Sequence, residues 1–502
     1  MNILDRLARE ISPTWALARQ KARFAAEQFS AGVRKFEAAG LGRRTDGWRT
    51  TSAGANNENR PALRLLRDRS RDLVRNNPFA KRAIQIIGTN VVGSGIQPAI
   101  IGAANKQTRT LGGAWQDWAA SSACDFDGLL NFYGIQRSAI RAMGESGEVL
   151  LVRKRLTPDE IAKYGGPGIQ LQLLESDFLD MGRDGLIAEG GGRILQGVEF
   201  NKDGRRVAYW LFKSHPGESY HWGANTSVRI PAEDVLHLFD PLRPGQIRGI
   251  PMGVSAMLRL RDFDEYEDAQ LVRQKIAACF AVFYNGIDAD SGLAADNANQ
   301  GEIPSRVEPG MIEKLPPGST VEIASPPAAL GYSEYSNTVL RSIAAGYGVT
   351  YEQLTGDMSN VNFTSARMAR MEFDSYVAEL QSLLIVQLCS KVWAWFTAAS
   401  YVSGAAKKPV IPVKWTTPAR KMVDPVKEVK AFKDAVRAGF MSWSDAVLSL
   451  GNNPDELREL LAQDFAALDA AKLVLTSDPR KFADAGMLQP TENPAAKAPA
   501  VA

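Results

Sequence analysis

Imidazole groups, which serve both acid–base catalysis and metal binding, are rare in this chain. Its three histidines are His215, His221 and His237. The first two flank a Pro-Gly turn, and the third alternates with apolar neighbours in a predicted strand. No HExxH pair occurs, and no second ligand type is spaced to join them. We interpret all three as surface or core histidines rather than as catalytic or metal-binding groups.

Motifs for nucleophilic catalysis and for phosphate binding are incomplete. Residues 144–147 read Gly-Glu-Ser-Gly, but the second glycine falls one position too early for a nucleophile elbow. Residues 190–192 are three glycines without the Walker spacing or a following Lys-Ser/Thr pair. A nuclease or a protease would need a constellation that is missing. The sequence therefore predicts no enzyme, no cofactor and no metal ion.

Thiols and carboxylates supply no metal-ligand set either. The three cysteines, Cys124, Cys279 and Cys389, are far apart and form no CxxC pair, which argues against both a zinc site and a disulfide framework. We expect them to be small buried side chains. Acidic residues are dense between 262 and 268, but they lie all around one predicted helix. We interpret them as a solvated or subunit-facing surface.

Size and composition are those of an ordinary soluble protein. The chain has 502 residues, of which 45% are hydrophobic and 23% charged, and its length predicts two to four structural units. The formal net charge of +3 disfavours tight DNA binding by the whole surface, which requires a marked basic excess. The sequence predicts no secretory signal and no uninterrupted apolar stretch that could span a bilayer, so we expect a soluble, intracellular protein.

A helix–loop–helix over residues 332–373 is the most regular feature of the sequence. Thr350 and Gln353 form a possible capping box for a single helical turn between the first helix and the loop. The loop, 357–365, is polar and carries a single charge. A longer helix is predicted from about 364 to 400. We expect the loop to be the chemically distinctive surface of this segment.

Charged segments suggest three further surfaces. Residues 1–50 form an amphipathic arm, for which a partner-binding or subunit-clasping role is preferred over a membrane-surface helix. A loop over 56–59 precedes residues 60–82, where eight basic and two acidic side chains indicate either a nucleic-acid or partner patch or a solvated helix face. A long helix over 255–283 has charges of alternating sign, which suits packing against copies of itself in a ring.

The remaining segments divide by periodicity. Residues 105–147 are predicted to be helical, with Trp115 and Trp118 spaced to face the core. Residues 148–240 are predicted to be strands, with a hairpin at the Asp-Gly pair of 203–204. Residues 424–476 are predicted to form three capped helices.

Short blocks of residues recur in a fixed order over about 60–430. They read RDLVRNNP (71–78), NVVGSGI (90–96), DVLHLF (234–239), RPGQIRG (243–249), YEDA (266–269), KIAA (275–278), LPPG (315–318), IAAGYGV (343–349), LTGD (354–357), VNFTSAR (361–367) and VDP (423–425). Each block alone is a weak signal, but the ordered set resembles the lambda-like family of tailed-bacteriophage portal proteins.

The resemblance implies a non-enzymatic ring, usually of twelve subunits, at one vertex of the phage head. Portals of this kind nucleate the procapsid, pass double-stranded DNA and later join the tail. The implied partners are the terminase large subunit, the major capsid protein and scaffold, and head-completion or adaptor proteins, with no membrane. The implied location is the virion, and the host cytoplasm during assembly. The alternative is a head–tail adaptor or another virion interaction protein, which would be expected to be much shorter.

The resemblance also implies an α+β fold with named parts. These are an N-terminal arm (1–59), an α/β wing (60–251), a stem helix (252–284), a clip (285–331), a second stem helix (332–348), a channel-loop region (349–365), a long helix and wing strand (366–423), a helical crown (424–483) and a disordered tail (484–502).

Two sets of site residues follow from this mapping. The loop residues expected to face the DNA channel are Ser359, Asn360, Asn362 and Thr364. The stem-helix residues expected at the ring interface are Arg261, Asp264, Glu265, Asp268, Arg273 and Lys275. A loop without Lys or Arg can touch phosphates through hydrogen bonds without the counterion release that makes cationic contacts tight. An ordinary surface loop remains the alternative.

Overall fold

A computed structural model of the protein describes residues 50–101, 106–187, 191–218, 225–278, 281–285, 320–324, 331–359, 361–420, 422, 424–475, 478 and 480, together with 18, 21, 22, 43 and 45–47. The chain divides into two units, Met1–Gly54 and Ala55–Ala502, and the second unit contains the hydrophobic cores. Most of the predicted clip, nearly all of the arm before residue 50 and the whole tail lie outside the described residues.

The second unit combines helices with antiparallel sheets, which confirms the predicted α+β class. The helices are α1 (Ala55–Asn59), α2 (Leu63–Asn76), α3 (Pro78–Val92), α4 (Lys106–Ala120), α5 (Phe132–Ser146), α6 (Pro158–Tyr164), α7 (Met257–Ala278), α8 (Tyr332–Tyr347), α9 (Tyr351–Thr355), α10 (Phe363–Leu384), α11 (Ser390–Val402), α12 (Pro425–Arg437), α13 (Trp443–Ser449) and α14 (Pro454–Ala470).

The strands form four sheets among the described residues. They are β1 (Gln97–Ile100), β2 (Glu148–Arg155), β3 (Ile169–Glu175), β4 (Gly185–Leu186), β5 (Arg193–Leu195), β6 (Val198–Phe200), β7 (Arg206–Phe212), β8 (Ser227–Pro231), β9 (Val235–Phe239), β10 (Ala281–Asn285), β11 (Thr320–Ala324) and β12 (Val413–Thr416). The orders are β3-β2-β9, β4-β5-β6-β7-β8, β1-β12 and β10-β11, and every pairing between these strands is antiparallel.

Strand β2 lies between two hydrophobic cores. Val149 and Leu151 point into the larger core with the helices, whereas Leu150 and Val152 point into a smaller core shared with the five-stranded sheet. Successive side chains of a strand alternate between faces, so a continuous apolar run is what two-sided burial requires. Trp115 is buried in the larger core as predicted, and so is Trp118.

One helical rod, Phe363–Val402, is long and apolar enough to cross a bilayer by length and composition. The rod is not an uninterrupted apolar stretch of the kind considered from the sequence, because Gln381, Gln387 and Lys391 interrupt it. Its apolar character has a plain structural cause, because Leu380, Leu384 and Leu388 are buried in the larger core. The rod also contains a π-helical stretch, Ile385–Cys389, that was not predicted.

Two predicted boundaries are wrong for identifiable reasons. The long helix expected to reach residue 283 ends at Ala278, because Ala281–Asn285 is rich in strand-forming residues and pairs with Thr320–Ala324. The predicted loop at 56–59 is part of helix α1. There Asn56 donates to the Gly245 carbonyl at 3.0 Å and accepts from the Ile247 amide at 2.9 Å, which fixes its conformation.

In the basic segment 60–82, Arg67 belongs neither to a nucleic-acid or partner patch nor to a solvated helix face, because its side chain is only 1% exposed. Its guanidinium lies 3.0 Å from the carboxylate of Glu148 and 3.2 Å from that of Asp177. Arg71, one turn later, contacts Asp177 and Glu175. These arginines attach helix α2 to the sheet. Sequence alone did not show this because their carboxylate partners are 81 to 110 positions away.

Glu148 is the centre of this buried cluster. Its carboxylate accepts hydrogen bonds from Arg248 Nε at 2.9 Å and from the Gly249 backbone amide at 2.8 Å. It also lies 2.9 Å from His237 Nε2. Burial raises the pKa of Glu148, but Arg248 and His237 outweigh burial and hold that pKa well below its usual range. Burial lowers the pKa of His237 more than Glu148 raises it, so the imidazole is neutral at pH 7. His237 is thus a core histidine, as predicted.

Replacing Glu148 with Gln is expected to lower the free energy of unfolding by about 3–5 kcal/mol, because the change leaves buried guanidinium groups without their counter-charge. Urea unfolding of the full chain measures this loss. The control is Glu233→Gln, which removes an exposed carboxylate paired with Arg155 and is expected to cost under about 1 kcal/mol. Equal losses in the two variants would contradict the role of Glu148.

Candidate nucleic-acid interface

Helix α8 supplies the rigid first arm of the helix–loop–helix. Leu340, Ile343 and Tyr347 are buried in the larger core, at the spacing predicted for one helix face. The helix ends at Gly348, whose φ of 71° lies in the left-handed region that glycine tolerates. The chain therefore leaves the core at a fixed point.

The single turn α9 is held by the capping box predicted from sequence. The Gln353 amide donates to Thr350 Oγ1 at 3.2 Å, and the Thr350 amide donates to Gln353 Oε1 at 3.2 Å. Gly356, with a φ of 79°, ends the turn. The start of the loop is thus as firmly positioned as the helix before it.

The only charge in the loop is used to fold the loop itself. Asp357 Oδ1 accepts from the Ser359 amide at 2.9 Å, and its other oxygen lies 3.4 Å from the Tyr351 hydroxyl. Hydrogen bonds from Ser359 lower the pKa of Asp357, so the carboxylate is ionised at neutral pH. The negative charge is therefore held at the base of the loop.

Asn362 closes the loop as the N-cap of helix α10. Its Oδ1 accepts from the Ser365 backbone amide at 2.8 Å, and the Asn362 backbone amide donates to Ser365 Oγ at 3.2 Å. This role was missed, although Asn followed three residues later by Ser is a cap signal. The oxygen of Asn362 is therefore occupied, which restricts how that side chain could contact a phosphate.

Three of the four predicted loop residues are exposed in the structure. Ser359, Asn362 and Thr364 are all solvent-exposed, whereas Asn360 lies outside the described residues. Nothing in their burial separates a DNA-contacting loop from an ordinary surface loop. The assignment of these residues therefore stays a prediction.

Cations surround the base of the loop, although the loop has none. Arg82 donates to the Gln353 carbonyl at 2.8 Å, Arg341 lies over the Tyr351 ring, and Arg370 pairs with Asp374 at 3.1 Å. Arg367, one turn into helix α10, is exposed. It forms no ion pair with any described residue. The segment is therefore less neutral than its loop sequence suggests.

A family model described as "Phage portal protein, lambda family" matches residues 41–381. The chain belongs to that family. The resemblance seen in the sequence blocks is thereby confirmed, and the helix–loop–helix up to residue 373 lies inside the matched region.

Curated relatives agree with this assignment. The "Probable portal protein" of Halomonas phage phiHAP-1 is 27% identical over 418 residues, covering 80% of this chain and 79% of the relative. The "Portal protein" of Escherichia phage N15 is 24% identical and covers 84% and 87%. "Portal protein B" of Escherichia phage lambda is 23% identical and covers 85% and 87%.

Solved structures show partial likeness. The "Neck of empty GTA particle computed with C6 symmetry" matches with a TM-score of 0.47 and 16% identity, covering 82% of this chain and 97% of that one. The "Neck of native GTA particle computed with C12 symmetry" matches with a TM-score of 0.44 and 17% identity, covering 76% and 93%. Both scores are below 0.5, so the family assignment rests on the sequence match.

The six predicted interface residues of this family member divide into two groups. Arg261 and Glu265 pair with each other at 3.1 Å, and Asp264 accepts from Asn77 Nδ2 at 2.7 Å. The other three, which form no ion pair with any described residue, are Asp268, Arg273 and Lys275. The first group is at least partly engaged within its own chain.

Helix α7 is nonetheless poorly covered by its own subunit. It packs against α8 through Tyr266, whose ring lies 4.6 Å from that of Tyr335. Leu258 is 69% exposed, and Leu271 and Val272 are at least half exposed. Exposed apolar side chains are compatible with an interaction surface, and the assignment of this helix to a ring interface stays a prediction.

Potential reactive groups of this portal-family chain have structural roles. Ser146 and Gly147 end helix α5, where a side chain at position 147 would lie 2.4 Å from the backbone of Ile250. Cys124 and Cys389 are buried free thiols, and burial raises the pKa of Cys124 to about 12. Cys279 and His221 lie outside the described residues.

One trio could hold a metal ion by distance alone. Ligand atoms of Glu175, Asp177 and His215 lie within 4.8 Å of one another. Arg71 contacts the carboxylates of Glu175 and Asp177. Its guanidinium therefore supplies a positive charge beside these two negative charges. We interpret the trio as an ion-pair site that sequence spacing could not reveal, because the fold brings His215 to the end of β3.

The capping role of Asn362 predicts a stability difference among substitutions. Asn362→Ala is expected to lower the free energy of unfolding by about 0.5–2 kcal/mol, whereas Asn362→Asp keeps the cap and is expected to be near neutral. Hydrogen exchange of the first turn of α10, together with urea unfolding, measures both effects. Indistinguishable exchange in the two variants would show that the cap does not hold this end of the helix.

Proposed function

We propose that this chain is a portal subunit that forms a ring at one capsid vertex, through which double-stranded DNA is packaged and later ejected. The observation that carries the proposal is the family match over residues 41–381. The ring would also nucleate procapsid assembly and join the head to the tail. Its role would be non-enzymatic, without a cofactor and without a membrane.

The proposed partners follow from that role. They are the terminase large subunit during packaging, the major capsid protein and scaffold during assembly, and head-completion or adaptor proteins afterwards. The protein would assemble in the host cytoplasm and remain in the virion. Twelve subunits is the number that the family resemblance implies.

The proposed parts of the subunit keep the boundaries predicted from the sequence, except that the first stem helix is shorter. The wing would comprise 60–251 and 366–423, the clip 285–331, and the crown 424–483. The stem would comprise 252–284 and 332–348, with its first helix ending at Ala278. Support for a stem comes from the packing of helix α7 on helix α8 through Tyr266 and Tyr335.

Ring closure requires two different, complementary surfaces on each subunit. The exposed Leu258, Leu271 and Val272 of helix α7 give one apolar surface. Asp268, Arg273 and Lys275, which have no ion pair with a described residue, would provide charge pairing with a neighbour, which sets register more than affinity. Arg261, Asp264 and Glu265 would contribute less, because they already have partners in their own chain.

The loop is proposed to touch moving DNA through neutral polar groups. Ser359, Asn360, Asn362 and Thr364 offer hydroxyl and amide groups that bond phosphates without releasing counterions. Arg367, behind the loop, would add one cationic contact in each subunit. A weak contact repeated around a ring can hold DNA in the axis while still letting it pass.

Electron microscopy of the purified full-length protein is expected to show closed rings with an axial hole. Ring closure buries the exposed apolar side chains of helix α7, which is the physical reason to expect it. Asp268→Arg, which turns the proposed attraction between neighbours into repulsion, is expected to reduce the fraction of rings. Monodisperse monomers at high concentration would contradict the portal assignment.

Adding charge to the loop is expected to slow DNA without disturbing the ring. The double change Asn360→Lys with Thr364→Lys adds two cations per subunit, which strengthens phosphate binding and makes it salt-dependent. Packaging of DNA into procapsids measures the effect, and Asn452→Lys, an exposed change outside the loop, is the control. Asn362 is left intact because it caps α10. Normal packaging by the double variant would contradict the channel-loop assignment. It would not contradict the proposal that the subunits form a ring.

A further inference from the structure

The first turns of helix α10 are not covered by their own subunit. Every residue from 362 to 368 is exposed, whereas a surface helix normally buries one apolar face against the core. Three large apolar side chains of these turns are more than half exposed, namely Phe363, Met368 and Met371. A short helical segment without packing is only marginally stable in water. We therefore expect another surface to cover this end of α10.

A mostly apolar socket of about 260 Å³ lies on one side of the same turns. We name it the α9–α10 socket and define it by Gln353 of α9, Val361 of the loop, and Ser365, Ala366 and Ala369 of α10. The capping box of α9 and the hydrogen bond from Arg82 to the Gln353 carbonyl hold the α9 wall in place. The socket is therefore a fixed feature of the subunit.

The socket and the exposed methionines lie on opposite sides of α10. Ala366 and Ala369 are about one turn apart and line the socket. Each is followed two residues later by a methionine, Met368 or Met371, and two residues correspond to about 200° around an α-helix. One subunit thus has a projecting apolar surface on one side of α10 and an apolar socket on the other. Two different surfaces of this kind can form a head-to-tail contact that repeats around a ring.

The charges beside the two surfaces are complementary. Glu372, one turn after Met368, is exposed and forms no ion pair with any described residue. The socket is lined by Arg367 and Arg370 from α10 and by Glu352 from α9. A neighbour that inserts its methionines with Glu372 towards the α10 side would therefore bring opposite charges together. Such complementarity favours one relative orientation of the two subunits.

The spacing of packed helices is compatible with copies of α10 standing side by side. Packed helices lie about 8–10 Å apart, and each is about 10–12 Å wide. Twelve copies at that spacing would surround an opening of roughly 20–28 Å, which admits double-stranded DNA. This agreement favours a second copy of the chain over an unrelated protein as the occupant of the socket.

We propose that Met368 and Met371 of one subunit insert into the α9–α10 socket of the next, so that the α10 helices form a continuous apolar contact around the ring. Methionine suits this role because its unbranched side chain fills irregular spaces. The contact would cover the first turns of α10 and set the distance between neighbouring loops. The inference rests on the proposed ring, and it adds to that ring a contact separate from helix α7.

The first test is a disulfide bond between subunits. Ala369→Cys and Met371→Cys are combined in a Cys279→Ser background, because the other two cysteines, Cys124 and Cys389, are buried. Mild oxidation of assembled rings is expected to give a ladder of covalent oligomers on a denaturing, non-reducing gel. The two new thiols point to opposite sides of one helix and cannot bridge within a subunit.

Single substitutions are the controls for this ladder. Ala369→Cys alone and Met371→Cys alone are each expected to give no covalent oligomers. Rings assembled from a mixture of the two single variants are expected to give covalent dimers and nothing larger, because each subunit then carries one thiol.

The second test changes the methionine itself. Met371→Glu keeps a good helix former but places a charge in the apolar socket. It is expected to lower the fraction of subunits in rings about tenfold, counted by electron microscopy. Met371→Leu is expected to preserve the rings, and so is the matched control Leu129→Glu, at an apolar position elsewhere that is 82% exposed. The melting temperature of the dissociated subunit should stay unchanged in all three variants, because both positions are exposed.

Failure of this contact can be distinguished from failure of the proposed function. Absence of rings from the unaltered protein would overturn both. Rings that give no ladder with the cysteine pair, or that form as readily with Met371→Glu, would overturn the contact between methionines and socket and leave the ring in place. Covalent dimers from Met371→Cys alone would also overturn it, because they would bring two copies of the same side chain together.

Discussion

The buried carboxylate of Glu148 is the interaction on which the arrangement of this subunit depends. It opens strand β2 and receives Arg67 from helix α2 and Arg248 from the segment that leads into helix α7. His237, from strand β9, contacts the same carboxylate. Four separated pieces of chain therefore meet at one group. A charge this deeply buried is tolerated only while its partners are in place, so these pieces are constrained to fold together.

The same region links the sheet to the long helix that carries the loop. Strand β9 pairs with β2, and its last residue, Phe239, exchanges two hydrogen bonds with the side chain of Gln387 at 3.1 and 3.0 Å. Gln387 lies in the π-helical stretch, where the helix departs from regular geometry. Helix α10 then runs from this anchor to its cap at Asn362. The loop is thus positioned by a core contact more than twenty residues away.

Local patterns in the sequence were sufficient for much of this fold. The capping box at Thr350 was read correctly because it needs only four neighbouring residues. The three capped helices predicted over 424–476 are present for the same reason, with Asp424, Ser442 and Asn453 as their N-caps. Features that depend on distant partners could not be read in this way. Arg67 looks like any surface arginine of an amphipathic helix until Glu148, 81 positions later, is placed beside it. The end of helix α7 depends on a strand partner about 40 residues further along the chain.

The neutral loop and the arginines near its base suggest how a subunit of this family could contact DNA that moves past it. The one carboxylate of the loop, Asp357, is held inward by Ser359 and Tyr351. Of the four nearby arginines, Arg370 forms an ion pair with Asp374, Arg82 donates to a backbone carbonyl and Arg341 lies over the Tyr351 ring. Arg367 forms no ion pair with any described residue. The loop then exposes mostly neutral groups, and Arg82, Arg341 and Arg367 are exposed near its base. If every nearby arginine faced the channel, the counterions released per subunit would multiply and the contact would become a clamp. In the proposed channel, the contacts that Arg82, Arg341 and Arg370 make within their own chain would limit the strength of the contact between loop and DNA.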